Sequence, residues 1–131
     1  MGISQIAYYQ AKLAYEMDSA DLYEAMGRDD RIVVVDGRAA SAYATEHIPG
    51  AISLPHRQIS SESTAALDKS QTYVCYCDGI GCNASTKTAL KLLELGFQVR
   101  ELIGGLDWWK RDGYATHGEA ACTETGVTCA C

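Results

Sequence analysis

Apolar and polar positions along this chain change period several times, and each change marks an element. Ile3, Ile6, Ala7, Leu13, Ala14 and Met17 recur at helical spacing, with a polar break at Gln10, and predict an amphipathic helix over residues 3–17. Asp18 and Ser19 offer capping oxygens for a second short helix to Met26, and Gly27 is its expected stop because glycine tolerates the left-handed cap conformation. The run RIVVVDGR is β-branched at consecutive positions, the pattern of a strand covered on both faces. AASAYATEH returns to helical character. IPGAISLPH holds both prolines of the chain and is expected to be irregular, apart from a short strand at AISL. Ser60 to Lys69 is polar with weak helical character. TYVCYC predicts the next strand. Residues 83–95 predict the clearest helix, with Ala89, Leu92 and Leu93 on one face and Gly96 at its end. QVRELI predicts another strand, and LDWWKRDG, after Gly104 and Gly105, a short helix. Beyond Ala115 the residues are small and polar and read as a tail or extended arm.

Strands alternating with helices predict an α/β domain with a mostly parallel sheet. Such sheets bind ligands beyond the carboxyl ends of their strands, and both Asp36 and Cys77 fall at such ends. The 131 residues suit one domain with its own core, without an internal repeat or low-complexity block.

The net charge of −6 argues against a nucleic-acid partner and against attraction to an anionic membrane. No run approaches the roughly 18 apolar residues of a membrane helix. The opening MGISQIAYYQ lacks the basic start and apolar core of a signal peptide. The expected compartment is therefore the cytoplasm, where thiols stay reduced. The six cysteines fit this: 75, 77 and 82 form one group, 122, 129 and 131 another, and none precedes Val74. A secreted disulfide framework is normally spread more evenly.

Cys77 ends a strand, Gly79 and Gly81 follow in a loop, and a helix starts near Asn83 to Ser85. Inward amides and a helix N-terminus stabilise a thiolate, lower its pKa and make it nucleophilic. Asn83, Ser85 and Thr86 are candidate caps and hydroxyl donors. Cys75, inside the strand, reads as core. Cys77 is open between core thiol and nucleophile. Cys82, at the far end of the loop, is a second or resolving thiol, a sulfur acceptor, or a packing residue. The terminal Cys129-x-Cys131 can relay sulfur, bind a soft metal or do nothing; even with Cys122 it lacks four-ligand zinc spacing, and no metal site or cofactor is predicted.

Three ordered stretches resemble the rhodanese family of sulfurtransferases. TYVCYCDGIGCNAST resembles the active-site loop, VVVDGRAASAYATEHIPGAISLPH a first signature, and LGFQVRELIGGLDWWKRDGY a closing one. The resemblance implies a rhodanese-like α/β fold, with a central mostly parallel five-stranded sheet flanked by helices on both faces. Residues 28–115 would form the rhodanese-like domain, residues 1–27 N-terminal helices packed on it, and residues 116–131 a cysteine-containing tail. It implies a ping-pong reaction in which Cys77 takes a sulfane sulfur as a persulfide and passes it to cyanide or another thiol. Asp78, Gly79, Ile80, Gly81, Cys82 and Asn83 would cradle the anion or persulfide. Asp36, Arg38 and His47 would be structural support, with His47 bracing the turn at Pro49 and Gly50. Trp108 and Trp109 would serve as core and rim. The implied partners are a small-molecule or protein sulfur donor and acceptor, for a monomer or homodimer.

The loop departs from the family in being longer and in lacking a basic residue before Lys87, while Asp78 adds negative charge beside the nucleophile. Thiosulfate is thereby disfavoured and a protein or low-molecular-weight persulfide becomes an alternative donor. A phosphatase or arsenate reductase on the same fold would need Cys-x5-Arg. Asn83 stands six after Cys77 and Thr88 six after Cys82, so the oxyanion clamp is missing. The remaining alternative is a non-catalytic redox, metal-sensing or protein-interaction module.

Overall fold

The computed structural model describes residues 2–28 and 31–121. Helix α1 (Gln5–Tyr15) leads into a two-residue strand β1 (Glu16–Met17) and helix α2 (Ser19–Gly27). Strand β2 (Ile32–Asp36), helix α3 (Ala40–Thr45) and strand β3 (Ile52–Ser53) follow. Strand β4 (Thr72–Tyr76), helix α4 (Ala84–Glu94), strand β5 (Gln98–Leu102) and helix α5 (Gly105–Arg111) complete the order. The five strands form one sheet in the order β1-β5-β4-β2-β3, and every adjacent pair is parallel.

The β-branched run centres β2 between β4 and β3, and alternation along the strands divides the core in two. Val34, Val74, Tyr76 and Leu102 pack with Leu22, Ala25, Leu106 and Trp109 from α2 and α5. Val35, Tyr73 and Cys75 pack with Leu92 of α4 and with Phe97 on the other face. Helices therefore cover both faces. The same parity directs Cys77 and Glu101 toward the α4 side, because residues two apart share a face.

Three segments depart from the expected elements. The helix expected over 3–17 ends at Tyr15, and Glu16 turns to extended backbone so that Met17 pairs with Leu102 at the sheet edge. Arg100 Nη2 donates to the carbonyls of Leu13 and Glu16 at 3.1 and 2.6 Å, satisfying main-chain acceptors left at the helix end. Side chains Ile3, Ile6 and Leu13 of this N-terminal segment stay exposed. Ser60 to Lys69 forms turns instead of a helix, folded around the Ser60 and Ser63 hydroxyls. The stretch after Ala115 begins as a docked segment. His117 exchanges two backbone hydrogen bonds with His47, Ala120 donates to Thr45, and buried Thr116 donates to Glu46 Oε2 at 2.7 Å. Cys122, Cys129 and Cys131 lie outside the described residues. No helix among the described residues is long and apolar enough to cross a membrane.

Helix α5 reaches the end of β4 directly. Leu106 N donates to Cys77 O at 2.9 Å and Asp107 N to Asp78 O at 2.8 Å. This close approach requires glycine at position 105: its φ is +58°, and a β-carbon there would sit 2.3 Å from Cys77 O. Gly105→Ala combines left-handed strain of about 1–3 kcal/mol with overpacking of similar size. The expected result is a loss of roughly 2–5 kcal/mol in urea unfolding. An unchanged midpoint and slope would show that the backbone yields without cost.

Candidate functional site

Cys77 leaves the carboxyl end of β4 with 2% of its surface exposed, while Cys75 behind it is fully buried. The loop Asp78–Asn83 then crosses to α4. Its turn closes through Cys82 N donating to Gly79 O at 3.2 Å, and Ile80 projects into solvent. A trans peptide sets C=O and N–H antiparallel. The carbonyls of Cys77 and Asp78 are held by α5, so the amides of Asp78 and Gly79 point away from α5.

The sulfur meets both polarities. Its S–H donates to the Cys82 carbonyl at 3.1 Å and lies 3.5 Å from Ser85 Oγ. The Ser85 backbone amide also faces it. Burial pushes the Cys77 thiol above its ordinary range and contact with Cys82 adds to that, while the Ser85 amide, and the Ser85 hydroxyl when it donates to the sulfur, pull the other way. The resting thiol is thus protonated, where the loop and helix predict a lowered pKa. Burial outweighs the helix end, whose influence is about 0.3–2 kcal/mol. Because the Cys82 carbonyl faces the sulfur, the following Asn83 amide points away, and Asn83 makes no side-chain cap. Burial pushes the Cys75 thiol up far more strongly.

The supporting residues surround this loop from β2. Asp36 is fully buried and accepts from Arg38 Nε at 3.0 Å, Arg38 Nη2 at 2.7 Å and Tyr76 Oη at 2.9 Å. Tyr76 Oη in turn accepts from Ile48 N at 3.1 Å. Arg38 extends from this pair to the Glu46 carbonyl at 2.6 Å and to Asp78 Oδ1 at 3.0 Å. Burial opposes the Arg38 charge, yet the hydrogen bond and charge of Asp36 hold its pKa above the ordinary value. His47 stands apart from the loop: its ring stacks on Tyr43, Nδ1 donates to Tyr43 O at 2.7 Å, and its backbone pairs with His117. Trp109 is buried and donates to Ala115 O, whereas Trp108 is half-exposed beneath Arg111.

Glu101 is a neighbour that strand patterning did not single out. Its Oε2 accepts from Ser85 Oγ at 2.9 Å and from Thr86 Oγ1 at 2.7 Å. A carboxylate in an otherwise strand-like stretch two residues before an isoleucine-glycine-glycine turn was the available signal. Among the described residues no group of three or more His, Cys, Asp or Glu side chains is placed to hold a metal ion.

The family model described as the rhodanese-like domain matches residues 18–112, from the cap of α2 to the end of α5. The chain belongs to the rhodanese-like domain family. This rhodanese-like chain is 38% identical over 85 residues to the thiosulfate sulfurtransferase GlpE of Pseudomonas fluorescens, covering 63% of itself and 74% of that protein. It is 33% identical over 73 residues to the thiosulfate sulfurtransferase PspE of Escherichia coli, covering 55% and 68%. It is also 29% identical over 82 residues to an HTH-type transcriptional regulator of Mycobacterium tuberculosis, of which it spans 36%. The crystal structure of the BH2092 protein from Bacillus halodurans superposes with a TM-score of 0.84 at 42% identity, over 87% of this chain and 84% of that one.

Arg38→Met would leave the buried Asp36 carboxylate without its main partner, at an expected cost of about 3–5 kcal/mol. Pairing it with Asp36→Asn should recover part of that loss in denaturant titrations, since the uncompensated charge is removed. Additive losses in the double variant would contradict this account of the pair.

Proposed function

We propose that this protein is a sulfurtransferase in which Cys77 carries a sulfane sulfur as a persulfide. The observation that carries the reading is Cys77 at the carboxyl end of β4 with the Ser85 amide and hydroxyl at its sulfur. The family and its relatives named thiosulfate sulfurtransferases support it. The Cys77 thiolate attacks the sulfane sulfur of a donor, whose remaining part leaves with the electron pair of the broken bond. A cyanide or thiolate acceptor then takes the terminal sulfur and restores the thiolate. The amides of Asp78 and Gly79, turned from α5, and that of Ser85 are the donors offered to a bound anion. The amides of Ile80 and Gly81 complete the loop, and turning the Cys82–Asn83 peptide would replace a facing carbonyl with a facing amide.

Charge selects among donors. Arg38 is committed to Asp36, Glu46 and Asp78, while Asp78, next to Cys77, exposes its carboxylate and Glu101 is bonded to the Ser85 hydroxyl beside the sulfur. A persulfide carrying little negative charge fits this setting better than thiosulfate. The contact between Cys77 and Cys82 favours one further reading, a redox module in which the two thiols form a disulfide. Cys82 would then resolve an oxidised Cys77.

Thiocyanate formation from cyanide should fall on the order of 10³-fold or more in Cys77→Ser, as for loss of a nucleophile. A persulfide donor should support a higher rate than thiosulfate. Equal rates in wild type and Cys77→Ser would sink the reading. Mass spectrometry of the donor-treated protein distinguishes the redox module: gain of one sulfur atom on Cys77 supports transfer, and loss of two hydrogens across Cys77 and Cys82 supports the disulfide.

A further inference from the structure

Ser85 stands between two groups that compete for its proton. Its Oγ is 2.9 Å from Glu101 Oε2 and 3.5 Å from Cys77 Sγ. A hydroxyl carries a single proton. A bond to an ionised oxygen is shorter and roughly twice as strong as a neutral one, so the proton goes to Glu101. Ser85 then turns a lone pair, not a donor, toward the sulfur. The Cys77 S–H lies between that lone pair and the Cys82 carbonyl, and both stabilise the protonated form. Ser85 is buried, and Thr86 Oγ1 donates to the same Glu101 oxygen at 2.7 Å, which anchors the carboxylate from a second position on α4.

We propose that Glu101 is a positioning residue for the sulfur carrier: by holding the Ser85 proton it denies that donor to the sulfur and keeps Cys77 a neutral thiol at rest. Thiolate formation is then coupled to release of the Ser85 hydroxyl. When Ser85 turns its proton to sulfur, one bond to Glu101 is exchanged for one to the thiolate. The inference draws its biological use from the sulfurtransferase reading, but it concerns only the proton on Cys77.

Apart from Cys82, whose contact also raises the Cys77 pKa, the other charged and titratable groups around the pair do not supply this effect. Asp78 is bonded to Arg38, and Asp107 of α5 lies against Gly79. Cys75 of β4 and Glu16 of β1 are the strand partners of Glu101. Lys12 of α1 is bonded to Glu16, and Arg100 turns its guanidinium to the carbonyls of Leu13 and Glu16. Cys82 contacts the sulfur through its carbonyl and its side chain. Among the described residues Glu101 forms no ion pair, so its hydrogen bonds go to the two hydroxyls of α4.

The test is the pH profile of iodoacetamide alkylation at Cys77 in the full chain, resolved from the other thiols by peptide mass spectrometry. Glu101→Gln keeps the shape but removes the charge that captures the hydroxyl, and its amide can donate to Ser85 Oγ. The Cys77 midpoint should move to lower pH by about one unit, raising alkylation at neutral pH roughly tenfold. Glu101→Asp keeps the charge but shortens its reach, and should shift the midpoint in the same direction. In a Ser85→Ala background, Glu101→Gln should leave the midpoint where Ser85→Ala alone puts it. An unchanged or raised midpoint in Glu101→Gln overturns the proposal. So does a wild-type profile in Glu101→Asp, or an equal shift without Ser85, either of which would assign the effect to charge acting through space. Alkylation needs no sulfur donor, so a protein lacking thiocyanate formation but showing these shifts would refute the sulfurtransferase reading and leave this one standing.

Discussion

A fully buried carboxylate, Asp36, is the constraint around which the end of this sheet is arranged. An ion removed from water costs several kcal/mol unless its oxygens are matched by donors. Asp36 is matched by the planar fork of Arg38, the Arg38 amide and the Tyr76 hydroxyl. Each partner then binds something else. Tyr76 fixes Ile48 at the turn after α3, and Arg38 fixes the Glu46 carbonyl and reaches Asp78 in the loop after β4. One charge therefore sets the relative position of two strand ends, a turn and the segment that carries Cys77. The ion pair to Asp78 is itself weak, because Asp78 is largely exposed; its value lies in where it points the loop.

The residues around Cys77 pull in opposite directions, and magnitude decides between them. A helix N-terminus and the Ser85 amide favour a thiolate. Burial and contact with Cys82 favour a thiol. Desolvation of an ion is the larger effect, so the resting sulfur is neutral despite its place at a helix end. A reactive cysteine can be read from position while its protonation state cannot, because the second depends on the direction of single peptide units and hydroxyls.

The same distinction explains which elements were legible in the sequence. β2, β4, α4 and α5 carry strong periods of their own, and each stands where the pattern puts it. Glu16 and Met17 are too few to show a period, and their conformation comes from pairing with β5. Thr116 to Ala120 are small and polar, yet Glu46 and the ends of α3 hold them in place; such partners are remote in sequence and leave no local trace. At the site, the clustering of Asp36, Arg38 and the Cys77 loop follows from strand ends lying side by side in a parallel sheet. Glu101 was hidden because its meaning needs the β4–β5 register and the first turn of α4 at once.

The contact of α5 with the Cys77 loop divides that loop into unequal halves. Asp78 and Gly79 are clamped: α5 amides hold the carbonyls of Cys77 and Asp78, and the β-carbon of Asp107 would lie 3.2 Å from one added to Gly79. Ile80 and Gly81 touch no such wall, and a β-carbon on Gly81 would meet open space. Insertions and changes of side chain are therefore tolerated unevenly. The entrance can be lengthened or recoloured at the tip without disturbing the sulfur, whereas the two residues after Cys77 can vary only together with the helix that grips them.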